Sequence, residues 1–275
     1  MITFTVPEKN RAFFRSNQSI AYDALFKASS ESMKKLAKDE KFIGGDVPGF
    51  FGVLHTWGRT LNYHPHIHYV VAGGAWSKAD NKWHPSRPNF YLPNKALSRI
   101  YRAKFKDKMI EAGMIHLIDP SVWSEGWNVN IQPVGAAEQS IRYLSRYVFK
   151  VAISDHRIVA VADGTVTFSY KKPNSARTRH MKLDVLDFMS RFLQHSLPSG
   201  FMKVRYYGFM HGCSAIPLDD IRASIEMMHG FDVVVSEPNP QVPDKREFCC
   251  PGCGRAMKYC YSVLPYQMPN YRGSG

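Results

Sequence analysis

The chain has 275 residues, 44% of them hydrophobic and 13% aromatic, with a formal net charge of +13. That composition excludes a disordered or fibrous chain and leaves length for one large domain with a small appendage. No apolar run approaches a membrane span, and Met1-Ile2-Thr3-Phe4-Thr5-Val6 lacks the pattern of a secretion signal. The reading is therefore a cytoplasmic protein with a polyanionic partner, nucleic acid rather than membrane.

In chain order, Ile2–Val6 reads as a strand, and Ile20, Leu25, Phe26 and Met33 mark a helix from about Ser19 to Lys38. A loop at Gly44-Gly45-Asp46 and Pro48-Gly49 precedes a strand at Phe50–Trp57. The short connection Arg59–Tyr63 makes the next strand its antiparallel neighbour, ended by Gly73-Gly74. A loop punctuated by Trp and Pro leads to a basic helix from about Lys95 to Ala112. Trp127–Val134 alternates as a half-buried strand, and a helix follows from about Ala136 to Lys150. Ile158–Ala162 and Thr165–Tyr170 flank Asp163-Gly164, a hairpin signal. Asp184 caps a helix to about His195, and Phe201–Phe209 forms a further strand. The division is a domain over residues 1–230, then a linker and cysteine-containing tail over 231–275.

Successive side chains of a strand alternate faces, so His66 and His68 of Tyr63-His64-Pro65-His66-Ile67-His68-Tyr69 point the same way. Convergent neutral imidazoles are the commonest side-chain metal ligands. His55, on the antiparallel neighbour, falls across from the His66–His68 region and is the candidate third ligand. His64 competes for that place, although Pro65 tilts it from line. The helical zinc-protease pattern HExxH is absent. Two ordinary strand histidines on a polar face would be the bland alternative.

Tyr143 and Tyr147 lie one helical turn apart, opposite the stripe of Ile141, Leu144 and Val148 and near Arg146 and Lys150. A phenol, with its pKa near ~10, needs such positive charge to attack at neutral pH. Arg142, Arg146, Lys150, Arg157, Lys171, Lys172 and Arg177, interleaved with aromatic residues, suit a single-stranded nucleic acid, and Arg205 adds to them from the Lys203–Gly208 strand. A solvated basic face is the plainer reading of the same residues. Of five cysteines, Cys250 and Cys253 form one CxxC half-site, with Cys260 or Cys249 to extend it into a candidate structural zinc site; an unstructured tail is the alternative.

Through Val53–Leu61, His64–His68, Tyr143–Tyr147, Val151–Arg157 and Arg205–Gly208, the chain resembles the two-tyrosine HUH rolling-circle transposases of insertion sequences, a family also carried by ISCR elements. The resemblance implies an α+β HUH endonuclease fold: a central antiparallel sheet bearing the histidines, helices packed on it, and a tyrosine helix over the site. It implies that His66 and His68 hold Mg or Mn, and that Tyr143 and Tyr147 are nucleophiles forming a 5′-phosphotyrosine with single-stranded DNA at transposon ends and target. Such transposases carry an N-terminal cysteine module, and this chain begins in the nuclease domain, so a truncated copy is the expectation. A plasmid replication initiator or relaxase is the runner-up of the same chemistry. A non-catalytic zinc-dependent nucleic-acid-binding module is the alternative of a different class.

Overall fold

In the computed structural model, the described residues are 1–133, 152–172, 175–230, 252–253 and 255. The chain separates into two compact units, Met1–Phe231 and Asp232–Gly275. In the second, Cys253 is exposed; Cys250 and Cys260, with the zinc site expected of them, fall outside the described residues.

The first unit is built on a six-stranded sheet. β1 (Ile2–Thr5), β2 (Val47–Trp57), β3 (Tyr63–Ser77), β4 (Lys82–Pro85), β5 (Val129–Ile131) and β9 (Val204–Tyr207) make it up, in the order β5-β1-β3-β2-β9 with β4 paired to β3. Every pairing in it is antiparallel. A second, three-stranded antiparallel sheet holds β6 (Ile158–Ala162), β7 (Thr165–Lys171) and β8 (Thr178–Asp184). Asp163 and Gly164 join β6 to β7 with φ of 51° and 67°, the two positive values that a two-residue hairpin of primed type requires.

Strand alternation divides the large sheet into two faces. Phe4, Phe50, Leu54, Ile67 and Tyr69 point into one hydrophobic core with α2 (Gln18–Ala37) and α3 (Asn94–Glu111). On α3 the buried Leu97, Tyr101, Phe105 and Met109 recur every fourth residue, one continuous apolar stripe. Gly113, at φ 68°, follows its end. On α2 small residues, Ala21, Ala24, Ala28, Ser29 and Ser32, lie on the buried face, and both serine hydroxyls donate back to carbonyls one turn earlier. Ser29 also bonds the Tyr69 hydroxyl at 2.7 Å, and Tyr22 meets Tyr63 at 2.5 Å, so these four buried hydroxyls are paired. Burial drives the phenols of Tyr22 (to about 12) and Tyr69 upward in pKa, keeping both neutral.

The structure goes beyond the sequence expectations at several points. Strand β3 does not stop at Gly73-Gly74 but continues to Ser77, paired with β4. A Cβ on Gly74 would lie 2.4 Å from the His84 carbonyl oxygen, so this glycine permits a close crossing of backbones. A short helix α1 (Arg11–Ser16), strand β8 and a helix α5 (Leu218–His229) also stand where the sequence reading placed none. The helix capped by Asp184 is α4 (Val185–Leu193), with the carboxylate accepting from the Leu186 amide at 2.8 Å. The helix expected from Ala136 to Lys150 lies outside the described residues.

Candidate metal centre and its cleft

The histidines emerge on the face of the large sheet opposite the helical core. On β3, Tyr63, Ile67 and Tyr69 are buried against helices, which turns His64, His66 and His68 the other way. His55 of β2 is the register partner of His66, and Val53 that of His68. Ligand atoms of His55, His66 and His68 all lie within 4.8 Å of one another, so one ion could be held by all three. His55 is 2% exposed and its ring stacks on Trp57 with centroids 4.8 Å apart. The imidazole pairs are 5.1 Å (His55–His68), 5.5 Å (His55–His66) and 4.8 Å (His66–His68) apart, each edge to face.

Hydrogen bonds set which nitrogen each ring presents. A carbonyl only accepts, so His66 Nδ1 carries a proton and donates it to the His64 carbonyl at 2.6 Å, leaving Nε2 as the ligating nitrogen. His68 Nδ1 lies 3.0 Å from the hydroxyl of Thr3, its register partner on β1. Such outer partners fix a ligand ring's tautomer and orientation. The donor set therefore fits a divalent ion: three imidazoles on two paired strands, two with Nδ1 already engaged.

His64, the competing third ligand, is otherwise occupied. Arg11 Nη2 donates to its Nδ1 at 2.8 Å. Burial and then the Arg11 charge hold its pKa down at about 4, so the ring is neutral at neutral pH.

A cleft of about 700 Å³ opens above the cluster. His55, His66 and His68 line one side; His156, Tyr170, Lys171 and Thr178, around the second sheet, line the other. Of the expected nucleic-acid contacts, Lys171, Lys172 and Arg177 are exposed, with Lys171 in this cleft and Arg177 in a neighbouring hollow with Arg179 and His180. Arg157 also lines the cleft, but its guanidinium is spoken for: it donates to the carbonyls of Ser169 (2.9 Å) and Arg59 (2.8 Å), fastening the β2–β3 turn to β7. Arg205 stands on the helical face of the sheet, paired with Asp23 at 2.7 Å and lying over the Phe26 ring at 4.4 Å. The structure thus gives it a packing role away from the cleft. Arg142, Arg146 and Lys150, and the two tyrosines Tyr143 and Tyr147, lie outside the described residues.

The sequence reading passed over Thr3, Arg11, Trp57 and His195. Thr3 had a signal, a polar residue alternating with Ile2 and Phe4 on a strand. His195 had none: its Nε2 donates to the Leu61 carbonyl and its Nδ1 accepts from buried Thr56, both at 3.2 Å, which pins the turn that carries β3. Burial holds its pKa down against the opposing Leu61 bond.

Comparisons with known proteins agree on one family. A family model described as "Putative transposase" (Y2_Tnp) matches residues 49–216. The chain is 36% identical over 229 residues to "Putative transposase y4qJ" of Sinorhizobium fredii, covering 76% of this chain and 57% of that protein. It is 26% identical over 228 residues to "Transposase for insertion sequence element IS801" of Pseudomonas savastanoi pv. phaseolicola, covering 76% and 53%. It therefore spans little more than half the length of these relatives. No solved structure matches. Among the described residues, no helix is long and apolar enough to cross a membrane.

Proposed function

We propose, for a chain that belongs to the Y2_Tnp family of transposases, that it cleaves and rejoins single-stranded DNA at the ends of an insertion sequence through a tyrosine–phosphate intermediate. The observation that carries this reading is the convergence of His55, His66 and His68 within 4.8 Å on the floor of a cleft with cationic residues around it.

A divalent ion, Mg or Mn, held by these imidazoles would supply Lewis-acid polarisation and a template for a phosphate. Imidazole donors favour Mn over Mg. The chain's own residues do the rest. Tyr143 or Tyr147 attacks phosphorus through its phenol oxygen; the phenol proton is lost, the bond from phosphorus to the 3′-oxygen breaks, and that oxygen leaves as a 3′-hydroxyl after gaining a proton. The product is a 5′-phosphotyrosine, which retains the energy of the phosphodiester bond. Reversal of the step by another 3′-hydroxyl rejoins strands with no nucleotide cofactor, and a second tyrosine allows one strand to be held while another is cut. Lys171, Lys172 and Arg177 give the strand a cationic path beside the cleft, consistent with the exposed positions they occupy.

Labelled single-stranded DNA, incubated with the protein and Mn²⁺ and run on a denaturing gel, tests this reading. A covalent adduct is expected, and it should vanish in the double variant Tyr143→Phe, Tyr147→Phe. Persistence of the adduct in that variant refutes the nucleophile assignment; absence from the unaltered protein refutes the cleavage reading.

A further inference from the structure

His64 shares a strand face and a cleft with the metal-centre histidines, and its ring centroid is 5.2 Å from that of His66. A fourth imidazole on the same ion would occupy a coordination position that could otherwise take a substrate oxygen. We propose that Arg11 locks His64 as the Nε2–H tautomer, which excludes it from the metal shell and makes it a hydrogen-bond donor to the phosphate at the histidine cluster. The donor role rests on the phosphodiester-cleaving reading above; the tautomer and the exclusion do not.

The assignment follows from donor chemistry. A guanidinium is protonated throughout the range in which proteins fold and has no acceptor. Arg11 Nη2 lies 2.8 Å from His64 Nδ1, so that nitrogen must offer its lone pair, and the ring's proton is on Nε2. Glu8 holds the other arm of the fork, Oε1 to Nη1 at 3.0 Å, which keeps Arg11 in place. The Arg11 Nε is buried without a hydrogen-bond partner, so the side chain is bound at its tips and has not turned its whole edge to solvent.

His66 has the opposite tautomer, because its Nδ1–H donates to the His64 carbonyl at 2.6 Å. Two histidines on one strand face therefore present different chemistry at the same ring atom. His66 presents a lone pair, which binds a cation; His64 presents an N–H, which cannot, but which suits an anionic oxygen. Backbone order sets the difference, since the carbonyl that fixes His66 belongs to His64 itself. A preorganised donor beside the histidine cluster would stabilise charge gathering on the phosphoryl oxygens.

Imidazole-edited ¹H–¹⁵N spectra of the metal-free protein test the tautomer directly. The His64 signal should be that of an Nε2–H ring and should move toward the Nδ1–H form in Arg11→Met; an Nδ1–H ring in the unaltered protein overturns the proposal. Calorimetry with Mn²⁺ tests the exclusion. His64→Ala should keep the Mn²⁺ affinity, whereas a loss of about 10-fold or more, as expected for a group belonging to the coordination shell, overturns it. Cleavage of single-stranded DNA at saturating Mn²⁺ tests the donor role: His64→Ala should lose about 100-fold in rate, and His64→Gln, whose amide keeps an N–H donor, should recover part of it. An unchanged rate in His64→Ala overturns the donor role. Should the unaltered protein cleave nothing, the phosphodiester reading fails and takes the donor role with it, and the spectra and calorimetry still decide the tautomer and the exclusion.

Discussion

The two sheets of the first unit differ in how they treat polar side chains. In the large sheet, the histidine face is tightly specified: His55 is 2% exposed, His66 and His68 each have a named Nδ1 partner, and a helical core supports the strands from behind. In the small sheet, Lys171, Arg179, His180 and even Val159 and Val161 are exposed. Its own buried cluster of Leu61, Ala152, Ile153 and Phe168 is much smaller than the main core. A face that must hold an ion cannot tolerate misplacement, because coordination depends on donor geometry within tenths of an ångström. A face that attracts a polyanion works through summed charge, which tolerates movement of each side chain. On the proposed function, the contrast is between chemistry fixed by position and attraction fixed by number.

Substitutions can break or sharpen that contrast. The largest effect is expected from His66→Ala, which removes a ligand outright: Mn²⁺ affinity by calorimetry should fall by more than about 100-fold, beyond the usual cost of an outer partner, and the DNA adduct should disappear. Salt-sensitive binding of single-stranded DNA should survive, and if it is lost equally the two faces are not separable. Next comes Thr3→Val, which keeps the branched shape but removes the hydroxyl beside His68 Nδ1. A loss of about 10-fold in Mn²⁺ affinity is expected, with circular dichroism unchanged. No loss would show that the hydrophobic frame alone orients His68. The smallest effect on chemistry should come from changing Lys171, Lys172 and Arg177 together to alanine. The slope of log affinity for single-stranded DNA against log salt should shrink by about 2, as for three lost phosphate contacts, while Mn²⁺ affinity stays put. An unchanged slope would remove the small sheet from the DNA path.

Much of the site was legible because strand geometry is simple. Alternation alone put His66 and His68 together, and a short turn made β2 and β3 antiparallel, which brought His55 opposite His66. The Asp163-Gly164 hairpin and the Asp184 cap were readable from single residues with narrow backbone or hydrogen-bonding roles. Strand β8 was hidden because Thr-Arg-His-Met-Lys-Leu-Asp carries charge on both faces, as an exposed strand can. Helix α5 was hidden for a related reason: of its residues Ile221 alone is buried, so its apolar period is faint. The extension of β3 beyond Gly73-Gly74 rests on pairing with β4 on one side and with Val47 and Pro48 of β2 on the other, which no local pattern encodes. Arg205 shows the same limit: amid Tyr206 and Tyr207 it reads as a nucleic-acid contact, and only the position of Asp23 on α2 reveals its ion pair. Arg11 reaches His64 from a helix that the sequence did not announce.

All three imidazoles of the candidate metal centre come from one hairpin, β2 and β3, joined by the turn between Trp57 and Tyr63. Assembling that centre closes only a small loop, so its entropic cost in the unfolded chain is low compared with that of joining distant segments. An ion that binds the closed hairpin and ignores the open one pulls folding forward by mass action. A cation held there would thus double as a staple on the strand pair at the middle of the sheet, and chelation should lower the melting temperature as well as abolish the proposed cleavage.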